Sequence, residues 1–241
     1  MSLFWTRCGV LALLFLSGCA TVQSPDARDP WESMNRSVFS FNDKLDRIVL
    51  KPVATAYRDV VPDPVQKGVH NFFSNLGDVW SAVNNALAGR AQETGDSIGR
   101  VVVNSTIGIL GIFDVASDMK IARHKADFGT TLGRWGIHPG PYVVLPVLGP
   151  ATLREVVALP VDYQANLINQ FSEAATRDTL KVINLVDTRA YYLGASDTAA
   201  GAALDAYSFI RDAYLQRQRY IQYDGNPPEV DQPVDEDPNL E

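Results

Sequence analysis

Apolar residues fall at Trp31, Met34, Val38, Phe41, Leu45 and Ile48, spaced alternately by three and four so that they draw one stripe along an α-helix. Asp29 reads as the N-cap of that helix, Pro30 as its first residue and Glu32 as the third, a capping-box arrangement. Lys51-Pro52 is expected to close it, because proline disfavours a helical residue before it. The periodicity recurs. Pro64 to Leu76 presents Val65, Val69, Phe72, Phe73 and Leu76 on one face, and Asp78 to Leu87 presents Val79, Trp80, Val83 and Leu87. Glu93 to Ile107 carries Ile98, Val101, Val102 and Ile107, with Gly95 and Gly99 in the same stretch. Ala174 to Tyr192 and Ala203 to Tyr223 are the longest periodic segments. No hairpin signal or strict alternation occurs, and the one strand-like piece, Tyr142 to Leu145, is boxed in by Pro141 and Pro146. The fold class is all-α.

Ahead of these helices the chain reads as an export leader. Arg7 supplies a positive end and Val10 to Leu16 a short apolar run, far below the ~20 residues that span a bilayer. The run ends in Leu16-Ser17-Gly18-Cys19, which looks like a lipobox, so cleavage is expected before Cys19, with acyl chains on its thiol. The competing reading is an ordinary signal peptide with an incidental cysteine. Cys8 leaves with the leader, and the mature chain then has neither disulfide nor free thiol. Several acyl chains, at ~0.8 kcal/mol per buried CH₂, give a stable anchor. Ala20, in place of an aspartate that resembles an inner-membrane retention signal, favours the outer membrane.

The expected organisation is a leader over 1–18, a lipidated tether over 19–28, a helical domain over 29–224 and a disordered acidic tail over 225–241. Loss of Arg7 takes the net charge from −7 to −8, which argues against nucleic acid and against a polybasic grip on anionic lipid.

The middle of the chain departs from the pattern. Ile107 to Phe113 is nearly all apolar yet too short to cross a bilayer, and Gly108 and Gly111 weaken a regular helix there. Gly129, Gly133 and Gly136 follow at helical spacing. They are either the close-approach residues of a membrane-embedded helix pair or the turn and cap glycines of a soluble bundle. His70, His124 and His138 are scattered, and His124 with Asp127 reads as a surface pair rather than as metal ligands. No G-x-S-x-G elbow, phosphate cradle or nucleophile with a nearby base is present, so neither a catalytic site nor a metal or other cofactor is expected.

Two blocks carry a family resemblance. One is Asp29-Pro30-Trp31-Glu32-Ser33-Met34-Asn35-Arg36, with Phe39, Phe41 and Asn42 behind it. The other is Phe128-Gly129-Thr130-Thr131-Leu132-Gly133-Arg134-Trp135-Gly136, continuing through Gly140 to Pro146 and on to Gly149-Pro150, Leu153 and Arg154. Asn104 to Gly108, Phe113 to Ala116 and Ile210 to Arg217 match in the same order. Together they resemble the MlaA (VacJ) family of lipoproteins that maintain outer-membrane lipid asymmetry. One departure is Leu204-Asp205-Ala206-Tyr207, where the family has Ser-Asp-Pro-Tyr; the missing proline leaves the start of the last helix open.

The resemblance implies a ring-like bundle of amphipathic helices lying in the membrane around a central channel. Through it, phospholipid misplaced in the outer leaflet would reach a periplasmic MlaC-like lipid carrier. It also implies a trimeric porin as partner. By the same resemblance Ser40, Phe41 and Gly136 are gate or channel residues, and Ile107 and Phe128 lie near the porin contact. Arg36, Lys44, Arg47 and Lys51 either face lipid phosphate or form a solvated basic face. The alternatives are a structural lipoprotein that braces porins without moving lipid, and a lipid hydrolase.

Overall fold

The computed structural model describes residues 26–223 and 225–228; the leader, Cys19, Ala20 and the tail beyond 228 lie outside the described residues. Helix α1, Glu32–Leu45, starts two residues later than the capping box implies, at Trp31 with no side-chain cap. Asp29 is fully buried instead of capping: its carboxylate accepts from Asn35 Nδ2 at 2.8 Å and from the Tyr207 hydroxyl. Nor does the helix stop at Lys51-Pro52. It passes through a π-turn, Asp46–Leu50, into α2, Lys51–Val60, with Pro52 in the opening turn. A proline ring meets the carbonyl four residues back, and the wider turn relieves that clash.

The two helices expected over 64–87 are one, α3, Asp63–Leu87, of 25 residues and about 37 Å. It packs along α4, Ala91–Thr106. Then come α5 (Val115–Asp118), α6 (Phe128–Arg134), strands β1 (Tyr142–Leu145) and β2 (Gly149–Thr152), and α7 (Leu153–Ala165). A 3-10 turn, Leu167–Gln170, precedes α8 (Ala174–Tyr191), α9 (Leu193–Ala202) and α10 (Ala206–Gln222). The helix expected from Ala203 begins at Ala206, where Asp205 caps it by accepting from Tyr207 N; the proline is not needed.

The hairpin is absent from the sequence pattern for a physical reason. β2 reads Gly-Pro-Ala-Thr, poor in strand formers, and Val147 in the turn has φ +68°. Its register, Tyr142 opposite Thr152 and Leu145 opposite Gly149, is pinned from outside. Two amides on α1, two helical turns apart, take the place of a neighbouring strand. Asn35 donates to Tyr142 O and accepts from Val144 N, while Asn42 donates to Leu145 O and accepts from Val147 N.

What lies inside reverses the usual order. Much of the apolar stripe points outward, with Phe41 of α1 54% and Ile48 of the π-turn 75% exposed; Val38 packs on the cluster of Tyr142, Val144 and Tyr207, and Asn35 is the residue that α1 buries. Val60, Ile98, Val102, Leu110 and Val157 are also exposed on other elements. Buried instead are Asn75, Asp78, Ser81, Asn84 and Asn85 of α3 and Ser97, Arg100 and Asn104 of α4. The apolar clusters are small, the larger built on Tyr142, Val144 and Tyr207. Apolar surface of this extent is costly in water at about 25 cal/mol per Å². In a lipid surround it costs nothing, and polar contacts and close approach then hold helices together. No helix among the described residues is long and apolar enough to cross a membrane.

The apolar stretch after α4 shows how such a surface is made. Its backbone turns through φ +52° at Ile109, +56° at Leu110 and +90° at Gly111, displaying Ile107, Ile109, Leu110, Ile112 and Phe113. Gly111 N donates to Asn104 O, Phe113 N to Gly108 O, and Asn71 Nδ2 to Ile112 O, so these polar groups stay paired beneath apolar side chains. A Cβ on Gly111 would lie 2.5 Å from Asn75 Cβ at a positive φ. Gly111→Ala is therefore expected to cost about 3 kcal/mol, from strain plus overpacking. Thermal unfolding in detergent checks this.

Candidate functional site

The interior is organised by polar stripes. Asn71, Ser74, Asn75, Asp78, Ser81, Asn84 and Asn85 repeat at helical spacing along α3, and Ser97, Arg100 and Asn104 do so along α4. Arg100, 1% exposed, ties the two helices together. It donates to Asp78 Oδ2 at 3.3 Å, Asp114 Oδ1 at 2.7 Å, Ser117 Oγ at 3.2 Å and Ile121 O at 2.7 Å. Burial pushes the Asp78 carboxyl up, against the attraction of Arg123 and Arg100. For Asp114 burial is outweighed by hydrogen bonds from Ser117, Asn104 and Arg100, which hold it down at about 2. Its folded pKa thus lies below the unfolded 3.8, so its contribution is fully present above pH 4 and is lost as pH falls toward 2. Helical circular dichroism followed from pH 5 to pH 2 should show stability falling in that window, and Asp114→Asn should flatten the fall.

Residues 119–127 have no regular structure and form a strap over α3 and α4. Side chains hold it at successive points: Arg100 on Ile121 O, Asp78 on Arg123 Nε at 3.2 Å, Asn85 Nδ2 on His124 O at 3.0 Å, and Ser81 Oγ accepting from Ala126 N. Asp127 ends the strap by capping α6, accepting from Thr130 N and Oγ. That capping role takes Asp127 away from His124, which pairs with Asp96 Oδ2 at 2.9 Å.

Three cavities adjoin along this polar interior. One of about 340 Å³ lies between α3, α8, α10 and the strap, lined by Ser74, Asp78, Thr130 and Asn184 among others. A second of about 550 Å³ shares Lys125, Arg217 and Ile221 with it and adds Arg90, Glu93 and Arg123. A third of about 350 Å³ shares His70 with the first and Arg123 with the second. His70 sits at its junction stacked on Tyr191 at 4.1 Å, with Nδ1 3.0 Å from Asp187 Oδ2. The Tyr57 hydroxyl donates to the same buried carboxylate, and burial with that negative charge pushes it up to about 12. A fourth, apolar cavity of about 300 Å³ lies apart, between α1, the hairpin and α10.

The residues singled out from sequence lie elsewhere. Ser40 and Phe41 are exposed on α1, so Phe41 is not a core residue. Ile107 is exposed at the end of α4, and the half-buried Phe128 packs edge-on to Trp135, centroids 6.1 Å apart. Gly136 has φ +91° and closes α6, with Ile137 N donating to Leu132 O. Phe128 and Gly136 are thus brought to the two ends of α6, and none of the five lines the three adjoining cavities. Gly136 is a cap, whereas Gly133 lets Arg154 of α7 lie where a Cβ would come within 2.6 Å of its guanidinium. Of the basic quartet, Arg36 pairs with Glu32 and Asp205, Arg47 with Asp43 and Lys51 with Asp197, while Lys44 is exposed. The cavity residues Lys125 and Arg217 were missed. Lys125 belongs to no local motif and Arg217 was read only as the end of the block Ile210 to Arg217, but the polar stripe of α3 was available to mark the wall they face.

The family model described as MlaA lipoprotein matches residues 27–221. The chain is similar to the intermembrane phospholipid transport system lipoprotein MlaA of Escherichia coli (strain K12), 35% identical over 225 residues, covering 89% of this chain and 88% of the relative. The likeness to the Haemophilus influenzae protein of the same description is 30% over 226 residues, covering 90% and 89%. A chain solved in work on the structural basis for maintenance of bacterial outer membrane lipid asymmetry superposes with a TM-score of 0.70 at 35% identity, covering 80% of this chain and 98% of that one.

Proposed function

The chain belongs to the MlaA lipoprotein family, and from that premise we propose that it removes phospholipid misplaced in the outer leaflet of the outer membrane and passes it to a periplasmic MlaC-like carrier. The observation that carries this reading is the reversed polarity of the fold: apolar side chains outside, and a polar interior with adjoining cavities within. The helices lie in the lipid layer from the periplasmic side, anchored through acylated Cys19, and the cavities form the channel. A headgroup crossing hydrocarbon alone leaves charge without partners, which costs several kcal/mol or more. A path walled by Ser74, Ser81, Thr130 and Asn184 supplies partners while the acyl tails stay apolar. The protein provides the path, and withdrawal by the carrier sets the direction.

Within that scheme Ser40 and Phe41 act from α1 as the gate, through the grip of α1 on the hairpin, with Gly136 as a hinge. Ile107 and Phe128 face a trimeric porin. The test is outer-leaflet phospholipid in a strain deleted for the gene, read by its accessibility to an added phospholipase. Surface phospholipid is expected to rise and to fall again when the wild-type copy returns. Unchanged surface phospholipid with impaired porin assembly would replace the conduit by a brace.

A further inference from the structure

We infer that Lys125 and Arg217 form a phosphate-binding subsite at the junction of the first two cavities, the point at which a phosphodiester or phosphate anion is held. The inference rests on the cavities being the lipid path and adds a recognition point within it.

The two cations stand on different elements, Lys125 on the strap and Arg217 on α10, and each lines both cavities. Most of the arginines spend their charge within the protein itself: Arg36, Arg47, Arg100, Arg123, Arg189 and Arg211 each have a carboxylate partner within 4 Å. Among the described residues no carboxylate stands within that distance of Lys125 or Arg217. The acids that line these cavities are already engaged. Asp78 holds Arg100 and Arg123, Asp127 caps α6, and Glu93 lies 3.3 Å from Arg90.

The strap is clamped on both sides of Lys125, at His124 O and at Ala126 N, so the ammonium is delivered to the cavity from a fixed backbone. Lys125 and Arg217 line the cavities from solvent-accessible positions; desolvation within the cavity lowers the Lys125 pKa and repulsion from Arg123 and Arg217 adds to this, against the attraction of Asp78. An anion placed between the two cations removes that repulsion. A guanidinium and an ammonium across one gap suit a tetrahedral oxyanion, the first by paired N–H groups and the second as a point charge. Neutral donors line the same wall, with Thr130 and Gln218 beside them. The phosphate of a glycerophospholipid and free phosphate share this chemistry.

The test uses the full lipidated chain in nanodiscs, with Lys125→Met, Arg217→Met, the double variant and Lys125→Arg. Three probes are titrated: dioctanoyl phosphatidylglycerol, dioctanoylglycerol and inorganic phosphate. Each methionine variant is expected to weaken phosphatidylglycerol binding about tenfold, the size of one lost charge-assisted contact. Dioctanoylglycerol binding should stay unchanged, which also reports that the variants are folded, and Lys125→Arg should restore most of the loss.

If inorganic phosphate binds and displaces phosphatidylglycerol only weakly, the lipid headgroup is the ligand. If phosphate binds strongly and wild type ignores phosphatidylglycerol, the subsite stands for free phosphate and the lipid-path reading fails. A double variant that binds phosphatidylglycerol as wild type does overturns the subsite while leaving the conduit intact.

Discussion

Arg100→Met is expected to lower stability by about 3–5 kcal/mol, the cost of stripping the partner from buried charge. For a domain of this size that is about 10 °C in melting temperature. Methionine keeps the aliphatic stem and drops the guanidinium, so the effect combines loss of the charge with loss of its bonds to Asp78, Asp114, Ser117 and Ile121 O. Asp78 and Asp114 lose one of the two cations they share, and the Asp78 carboxyl is already raised by burial. Arg123 still reaches both, at 3.2 Å and 3.5 Å, which is why the expectation is not larger. The strap also loses its bond at Ile121 O, so the backbone that carries Lys125 loosens with it. Adding Asp78→Asn to Arg100→Met should recover part of the loss, because an amide tolerates burial without a cation. A melting temperature within 2 °C of wild type for the single variant would contradict the role given to Arg100.

Deleting Phe41 is expected to disturb lipid asymmetry far more than truncating its side chain. The ring is exposed, so Phe41→Ala changes stability by less than about 0.5 kcal/mol. Removing the residue turns everything after it by about 100° relative to what precedes it. Asn35 and Asn42 can then no longer both hold the hairpin. The amide bonds to Leu145 O and Val147 N break, at about 1 kcal/mol each. The hairpin, whose own sequence is a poor strand former, then moves freely. In the deleted strain, a Phe41-deleted copy should leave more surface phospholipid than no copy at all, because the loosened path leaks. Phe41→Ala should restore near-normal asymmetry. Equal defects in the two variants would assign the effect to the ring and not to the register of α1.

The periodicity that reveals these helices does not say which side is inside. Helices α4 and α8 stand within two residues of where apolar spacing puts them, yet Ile98 and Val102 of α4 face outward and Arg100 faces in. In water the stripe would be the core; in lipid it is the surface, and the polar stripe Ser74, Asp78, Ser81, Asn85 is the signal for the interior. The break between two helices placed near Gly77 follows from reading glycine and aspartate as punctuation, where Asp78 is a buried partner of two arginines. The hairpin was hidden because its partners are amides on α1. Periodicity gave the all-α class and the resemblance the ring-like arrangement of the helices, while Asp29 illustrates the limit of local motifs. It has the spacing of a cap but is held by Asn35, six residues on, and by Tyr207 and Arg211 from the far end of the chain. Lys125 and Arg217 meet only through the fold.

The most direct measurement is site-specific photocrosslinking in outer-membrane vesicles, using a phospholipid whose headgroup carries the reactive probe. A crosslinking position is placed either inside, at Asn184 or Thr188, or outside, at Ile48 or Val157. A polar interior that conducts phospholipid predicts headgroup adducts at Asn184 and Thr188 and few at Ile48 and Val157, with the pattern reversed for a probe at the end of an acyl chain. Headgroup adducts confined to the outer positions, with none at Asn184 or Thr188, would contradict it.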